Sequence, residues 1–151
     1  MNWGDFARQE PELAALGQER LERHGLVMLA TLRKNGFPRI SPVEPLFFNG
    51  QLYLGMMWQS RKALDLICNP RCSIHNAVSD RHASEGEFKV YGRAMDITNP
   101  NERQDYLQAM AEKIELEFGD EQFHCFVIDI DSVAANTLVG QEIQHQVWRA
   151  R

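Results

Sequence analysis

Long apolar runs, blocks of like charge and a cysteine framework are all missing from this chain of 151 residues. The longest apolar segments, such as residues 26–32, fall well short of the roughly 18 residues a membrane span needs, so no membrane partner is expected. Residues 1–25 scatter Asp5, Glu10, Glu12, Glu19 and Glu22 among apolar positions and lack the basic start and apolar stretch of a secretory signal, which predicts a cytoplasmic protein. The three cysteines, Cys68, Cys72 and Cys125, are odd in number and carry no secretory context; reduced thiols in a core are expected. A net charge of -5 without a basic block excludes a protein that works mainly by neutralising nucleic-acid phosphates. Any anion it binds must meet a local cluster of cations.

What remains is ordinary globular composition, 44% hydrophobic and 25% charged, in one domain spanning residues 1–151. A chain of this size can bury roughly 70% of its unfolded surface without disulfides or metals. Residues 11–24 read as an amphipathic helical flank carrying Leu13, Leu16 and Leu21 and stopped by Gly25. Two Asn-Gly pairs, Asn35-Gly36 and Asn49-Gly50, join three extended runs and predict a three-stranded meander over residues 26–58. Residues 60–68 form a short helix that Asn69-Pro70 cannot continue. Strands follow at residues 72–78 and 87–97, the second with Phe88, Val90, Gly92 and Ala94 on one face and a polar loop before it.

Asn99-Pro100-Asn101-Glu102 opens a longer helix as a capping box, with Tyr106, Leu107, Met110, Ile114 and Phe118 as its apolar stripe and Gly119 as its stop. Two last strands, residues 122–130 and 139–149, are expected on either side of a connection at 131–138. Strands that arrive through hairpins, with helices inserted between them, predict an α+β antiparallel barrel and not a doubly wound sheet.

The most informative stretch is Gln59-Ser60-Arg61-Lys62, where a cap-type serine precedes two cations in the first turn of a helix. The helix dipole disfavours positive charge there by roughly 0.3 to 1 kcal/mol per residue. Backbone N–H groups, a hydroxyl and two cations together suit a phosphate monoester. The same residues also read as an Arg61–Asp65 pair at i,i+4 on a solvated face, and the sequence leaves both open. Arg39, Ser41 and Val43 share one face of a strand interrupted by Pro42 and Pro45, a pattern of edges, bulges and ligand sites. Cys68, Cys72 and His75 are poor candidates for a metal, since a helix and opposite faces of a strand separate them. His24, His75, His82, His124 and His145 have no nucleophile at a recognisable spacing, and Asp129 with Asp131 reads as a strand-end turn.

Arg39-Ile40-Ser41-Pro42-Val43, Gly55-Met56-Met57, Ser60-Arg61-Lys62-Ala63, Asn69-Pro70 and Val90-Tyr91-Gly92-Arg93-Ala94, in that order, resemble the FMN-binding split barrels of the pyridoxamine 5'-phosphate oxidase-like family. The resemblance implies a six-stranded antiparallel split β-barrel with peripheral helices, a homodimer, and two flavin sites at its interface. It implies that Arg39, Ser60, Arg61 and Lys62 contact the flavin phosphate. Ile40, Ser41, Pro42 and Val43, with Gly55, Met56 and Met57, would then follow the ribityl chain and ring. Glu87 stands where the oxidase has a glutamine contributed by the other subunit, and Trp148 lies near the place where smaller members put an aromatic beside the ring.

Two departures matter: Glu44 replaces the oxidase's lysine, and the Arg-x-His element that holds the oxidase's substrate reads Glu142-Ile143-Gln144-His145 here. Vitamin B6 oxidation is therefore not expected. The reading that follows is an oxidoreductase exchanging hydride between FMN and a small organic substrate, with no side chain required as acid or base. A deazaflavin coenzyme is the alternative cofactor, its longer acidic tail calling on Arg33 and Lys34. A binding protein without turnover is the third reading, for flavin or for haem, the latter with His75, His82, His124 or His145 as axial ligand.

Overall fold

The computed structural model describes residues 1–114 and 122–151. Four helices and eight strands follow one another as α1 (Trp3–Gln9), α2 (Pro11–Glu22), β1 (Val27–Leu32), β2 (Pro38–Val43), β3 (Pro45–Phe48), β4 (Gln51–Met57), α3 (Arg61–Cys68), β5 (Arg71–Asn76), β6 (Glu87–Asp96), α4 (Pro100–Ile114), β7 (Phe123–Val139) and β8 (Glu142–Arg149). No helix among the described residues is long and apolar enough to cross a membrane.

Both Asn-Gly turns form where expected. Asn49 and Gly50 adopt φ of 46° and 68°, the paired left-handed conformation of a two-residue hairpin loop, and Phe48 faces Gln51 across it. The meander itself does not form. β1 pairs with β2 and β3 with β4, but the sheet runs β2-β1-β5-β6-β7-β4-β3, so β2 and β3 occupy its opposite edges. Glu44 alone links them. Pro42 and Pro45 flank that link and remove ladder donors on both sides of it, so the run that reads as one strand bends, and the chain itself joins the two edges into a closed barrel.

The interior is filled by alternate residues of every long strand, among them Val27, Leu29, Leu52, Leu54, Ile74, Phe88, Val90, Phe126, Ile128 and Ile130. α1, absent from the sequence reading because it is only 7 residues long, adds Trp3 and Phe6 to the same core. Its N-cap is Asn2, whose side chain accepts from the Asp5 N–H at 2.7 Å. Phe6 is fully buried between the rings of Trp3 and Trp148, at centroid distances of 5.3 and 4.8 Å, and burial of such a side chain contributes about 2–3 kcal/mol. A second cluster, with Leu46, Tyr53, Tyr106, Met110 and Cys125, lies where α4 covers the other face of β3 and β4.

Two further expectations are corrected. Residues 131–138 are no connection: β7 runs 17 residues without a break, its inward Val133 and Ala135 separated by polar or small residues that weaken the alternation signal, and the turn falls at Gly140-Gln141. The seven extended runs become eight strands because the second splits at Glu44, two more than the six of the barrel that the resemblance implies. The capping box at α4 is half made. Asn99 Oδ1 accepts from the Asn101 and Glu102 N–H groups, but the Glu102 carboxylate accepts from the Tyr53 hydroxyl at 3.3 Å instead of closing back on Asn99. Phe118 and Gly119 lie outside the described residues.

β6 and β7 shift register between Tyr91 and Gly92, so that Tyr91 faces Ser132 while Gly92 faces Ile130, with Asp131 as the extra residue of a bulge. A Cβ at Gly92 would overlap the Asp129 carbonyl oxygen, which is backbone and cannot swing away. Gly92→Ala is therefore expected to cost about 1–3 kcal/mol of unfolding free energy by chemical denaturation. Wild-type stability in that variant would contradict the packing.

Candidate functional site

The start of α3 is built by an unusual backbone step. Gln59 takes a left-handed φ of 56°, Ser60 N–H donates to the Met57 carbonyl at 3.1 Å, and Ser60 is extended at the N-cap position. The Ser60 side chain makes no cap hydrogen bond, and its Oγ is buried without a partner. Buried polar atoms normally find one. No acidic residue balances Arg61 and Lys62 in this first turn. The helix ends as read, at Asn69, extended before Pro70.

A cavity of about 420 Å³ opens between one side of α3 and the β1–β2 turn. Arg61, Leu64, Asp65 and Cys68 line it from the helix, Arg33, Lys34 and Asn35 from the turn, and Arg39 from β2. Arg33, Lys34, Arg39 and Arg61 face a single carboxylate, so the wall carries a net positive charge in a chain whose total is -5. The Arg61–Asp65 pair is not formed. Asp65, 8% exposed, instead accepts from Arg39 Nε at 2.6 Å and from Thr31 Oγ1 at 2.8 Å. Burial pushes the Asp65 carboxyl up, but hydrogen bonds from Arg39 and Thr31 and the charge of Arg39 outweigh it and hold the group below its ordinary value.

A second cavity, about 490 Å³, lies at the end of β4 under α4. Gly55, Met56, Met57 and Trp58 line it from the strand and the segment after it, Tyr106 and Met110 from α4, and Glu44 from the β2–β3 link. Its walls are mostly apolar, and its size falls in the range of small-molecule sites. A Cβ at Gly55 would overlap the Tyr106 hydroxyl, so only glycine lets α4 approach this closely. Trp58 stacks on His124 at 4.5 Å and 12° between planes. His124 is 4% exposed, and burial holds its imidazole below the usual range, with Asp96 opposing and Arg103 adding to the shift. Trp58 lines this cavity and Arg61, three residues on, lines the cationic one.

Of the residues expected at a phosphate, the fold brings Arg39 and Arg61 together and adds Arg33 and Lys34. It does not bring Lys62, whose Nζ donates to the Pro42 carbonyl at 3.2 Å, or the buried Ser60 hydroxyl to that cavity wall. Gly55, Met56 and Met57 line the apolar cavity. Ile40, Ser41, Pro42 and Val43 line neither: Ile40 is 67% exposed on the outer face, Val43 is in the core, and the link between them and the site is the Lys62 contact. Glu87 and Trp148 are also elsewhere. Glu87 accepts from Lys89 and from Asn136, each at 2.8 Å, which lowers its carboxyl, and Trp148 packs on Phe6. Asp129 and Asp131 lie within β7 and not at a turn.

Two of the three cysteines are held as neutral thiols. Burial pushes the Cys72 and Cys125 thiols up to about 12, far from the thiolate form a nucleophile needs. Among the described residues no group of three His, Cys, Asp or Glu could hold a metal ion. Glu44 and Gln122 on the apolar wall were not singled out as pocket residues by sequence, because only the folding of α4 over the β2–β3 link creates that cavity.

The family model described as pyridoxamine 5'-phosphate oxidase matches residues 14–136. No curated protein matches. Among solved structures the chain is similar to the General Stress Protein 26 from Bacillus anthracis (TM-score 0.66, 17% identity, 90% of this chain and 97% of that one). It is also similar to a NimC/NimA family protein from Clostridium acetobutylicum (TM-score 0.66, 16% identity, 86% and 89%). A heme binding protein from Mycobacterium smegmatis matches at TM-score 0.64 and 20% identity, over 89% of this chain and 57% of that longer one. Identities this low establish the fold.

The depressed Asp65 carboxyl has a consequence for pH. Its ion pair stabilises the folded chain fully above the ordinary aspartate range near pH 4 and loses that contribution as pH falls through the lower folded value. The stability gap between wild type and Asp65→Asn, measured by urea denaturation, is expected to be present at pH 7 and to shrink below about pH 4. An unchanged gap would contradict the pairing.

Proposed function

We propose that this chain, which belongs to the pyridoxamine 5'-phosphate oxidase family, is an FMN-dependent oxidoreductase acting on a small organic molecule. The observation that carries the reading is a pair of unlike cavities whose linings come within three residues of each other in sequence, at Trp58 and Arg61: one lined by Arg33, Lys34, Arg39 and Arg61, the other apolar and lined by Gly55, Met56 and Met57. A phosphate monoester suits the first and a flat apolar ring the second. The acid-free first turn of α3, where Arg61 lines the cavity, also fits an anion at that end.

When bound, FMN supplies the hydride chemistry. The chain's own residues bind, orient and exclude water. Arg39 and Arg61 offer charge-assisted hydrogen bonds to the phosphate, Lys62 ties α3 to the Pro42 carbonyl of β2, and Met56, Met57, Tyr106 and Met110 keep the ring's surroundings apolar. Glu44 gives that cavity a carboxylate where the oxidase has a lysine, and residues 142–145 of β8 lack the oxidase's substrate-holding arginine. Both support a substrate other than pyridoxamine phosphate.

Three of the four histidines named for haem are already engaged: His124 is buried against Trp58, while His75 and His145 are hydrogen-bonded with the Asn76 carbonyl and the Asn136 side chain. A deazaflavin coenzyme remains the second reading, because the fold carries Arg33 and Lys34 to Arg39 and Arg61, and its acidic tail would use them. A homodimer belongs to the same proposal. Met57 is 79% exposed beside the apolar cavity, and the register sets Pro42, Met28, His75, Lys89, Ala134 and Val147 in one row across the barrel's outer face, a surface a second copy would cover.

Three measurements test these statements. The freshly purified protein, or the protein titrated with FMN, is expected to show flavin bands near unit occupancy; tight deazaflavin binding with no affinity for FMN would replace the reading, and binding of neither would end it. Arg61→Ala with Lys62→Ala is expected to lose flavin while circular dichroism stays native, and a variant purified yellow at full occupancy would contradict the phosphate assignment. Sedimentation is expected to give a dimer at micromolar concentration, and a stable monomer would remove the two-subunit site.

A further inference from the structure

Asp65 poses a physical problem that an anion pocket does not need. A carboxylate buried to 8% exposure in the wall of a cation-lined cavity pays for desolvation and cancels one of the charges an anion would meet. Its neighbours on the inner side of α3, Ala63 and Leu66, show that an apolar side chain satisfies the packing there. What the carboxylate does is hold one arginine. Asp65 Oδ2 takes the Nε of Arg39 at 2.6 Å and is itself fixed by the Thr31 hydroxyl at 2.8 Å, from the neighbouring strand β1. Neither Nη nitrogen of Arg39 has a partner among the described residues, and Arg39 lines the cavity.

We infer that Asp65 is a positioning residue for the anion site: it anchors Arg39 through Nε so that the two Nη nitrogens are presented as a fixed fork to a phosphate monoester. The inference rests on the proposed FMN site and names the device that selects its phosphate. A guanidinium differs from an ammonium in the planar geometry of its donors, and that difference is useful only when the plane is held. Arg61, exposed and without an acceptor among the described residues, supplies charge without such a support, as do Arg33 and Lys34 at the turn. Thr31 is 2% exposed, so the anchor is seated in the barrel wall and does not move with the surface.

A charge-only role and a positioning role have opposite signs, which makes them separable. Removing Asp65 raises the positive charge of the pocket, so if charge alone mattered, phosphate binding would tighten. The test compares FMN with riboflavin, which lacks the phosphate, by fluorescence titration of the full chain and of Asp65→Asn, Asp65→Ala and Arg39→Lys. Wild type is expected to prefer FMN. Asp65→Asn and Asp65→Ala are expected to shrink that preference about tenfold, the scale of one charge-assisted contact, with riboflavin affinity unchanged. Arg39→Lys, which keeps the charge and loses the fork, is expected to shrink it as much, and it decides the matter if neither Asp65 variant folds. An FMN preference that stays the same or widens in the Asp65 variants, or survives Arg39→Lys, would overturn the positioning role while leaving the FMN reading intact. A wild-type protein that binds riboflavin as well as FMN would overturn the phosphate site itself.

Discussion

Closure of the barrel through Glu44 is the constraint on which the rest depends. β2 and β3 sit at opposite ends of the strand order, yet only one residue separates them in sequence, so the sheet must curl until its edges meet. Proline on both sides of that residue makes the bend compatible with the backbone, since neither Pro42 nor Pro45 has an N–H to leave unsatisfied. The same joint organises the candidate site. β2 carries Arg39 to the cationic cavity, Glu44 itself reaches the apolar one, and Lys62 at the start of α3 donates to the carbonyl of Pro42. The segment that closes the barrel therefore contributes to both cavities.

Charge is placed against the background. An acidic chain repels anions at long range, so an anion site has to be made by concentrating cations from separate elements. The β1–β2 turn, β2 and α3 each contribute, and the pair Arg39–Asp65 stands at the point where they meet. Apolar surface is handled the other way. The main core is completed by α1 and Trp148, whereas the cluster under α4 is left open at Gly55 and Met57 and forms a pocket.

The sequence was readable where a local rule dominates. Asn-Gly turns, the Asn69-Pro70 stop and the alternation of Phe88, Val90 and Ala94 act over a few residues, and each appears in the fold as read. It was misread where tertiary geometry decides. The run through Pro42 and Pro45 has the pattern of one strand, and only the sheet order shows that its halves pair at opposite edges. Residues 131–138 look like a connection because Ser132, Asn136 and Thr137 dilute the alternation, while long pairing with β6 and β8 holds them extended. The site divides likewise. Arg39, Arg61 and the Gly55–Met56–Met57 run are visible as motifs, but helical spacing offers Asp65 only Arg61 as one of two open readings, and its partner is Arg39, a contact from a strand that no spacing rule can supply.

Family membership and chemistry are separate matters in this fold, and the distinguishing features here are Glu44 in the apolar cavity and Glu142-Ile143-Gln144-His145 at the start of β8. The central claim is that one ligand spans the two cavities, phosphate at the cations and ring at the methionines. A crystal structure of the protein with FMN tests it most directly. The account predicts the phosphate within hydrogen-bond distance of Arg39 and Arg61 and the ring against Gly55, Met56 and Met57. A flavin bound elsewhere on the barrel, or one whose phosphate contacts neither arginine, would contradict it.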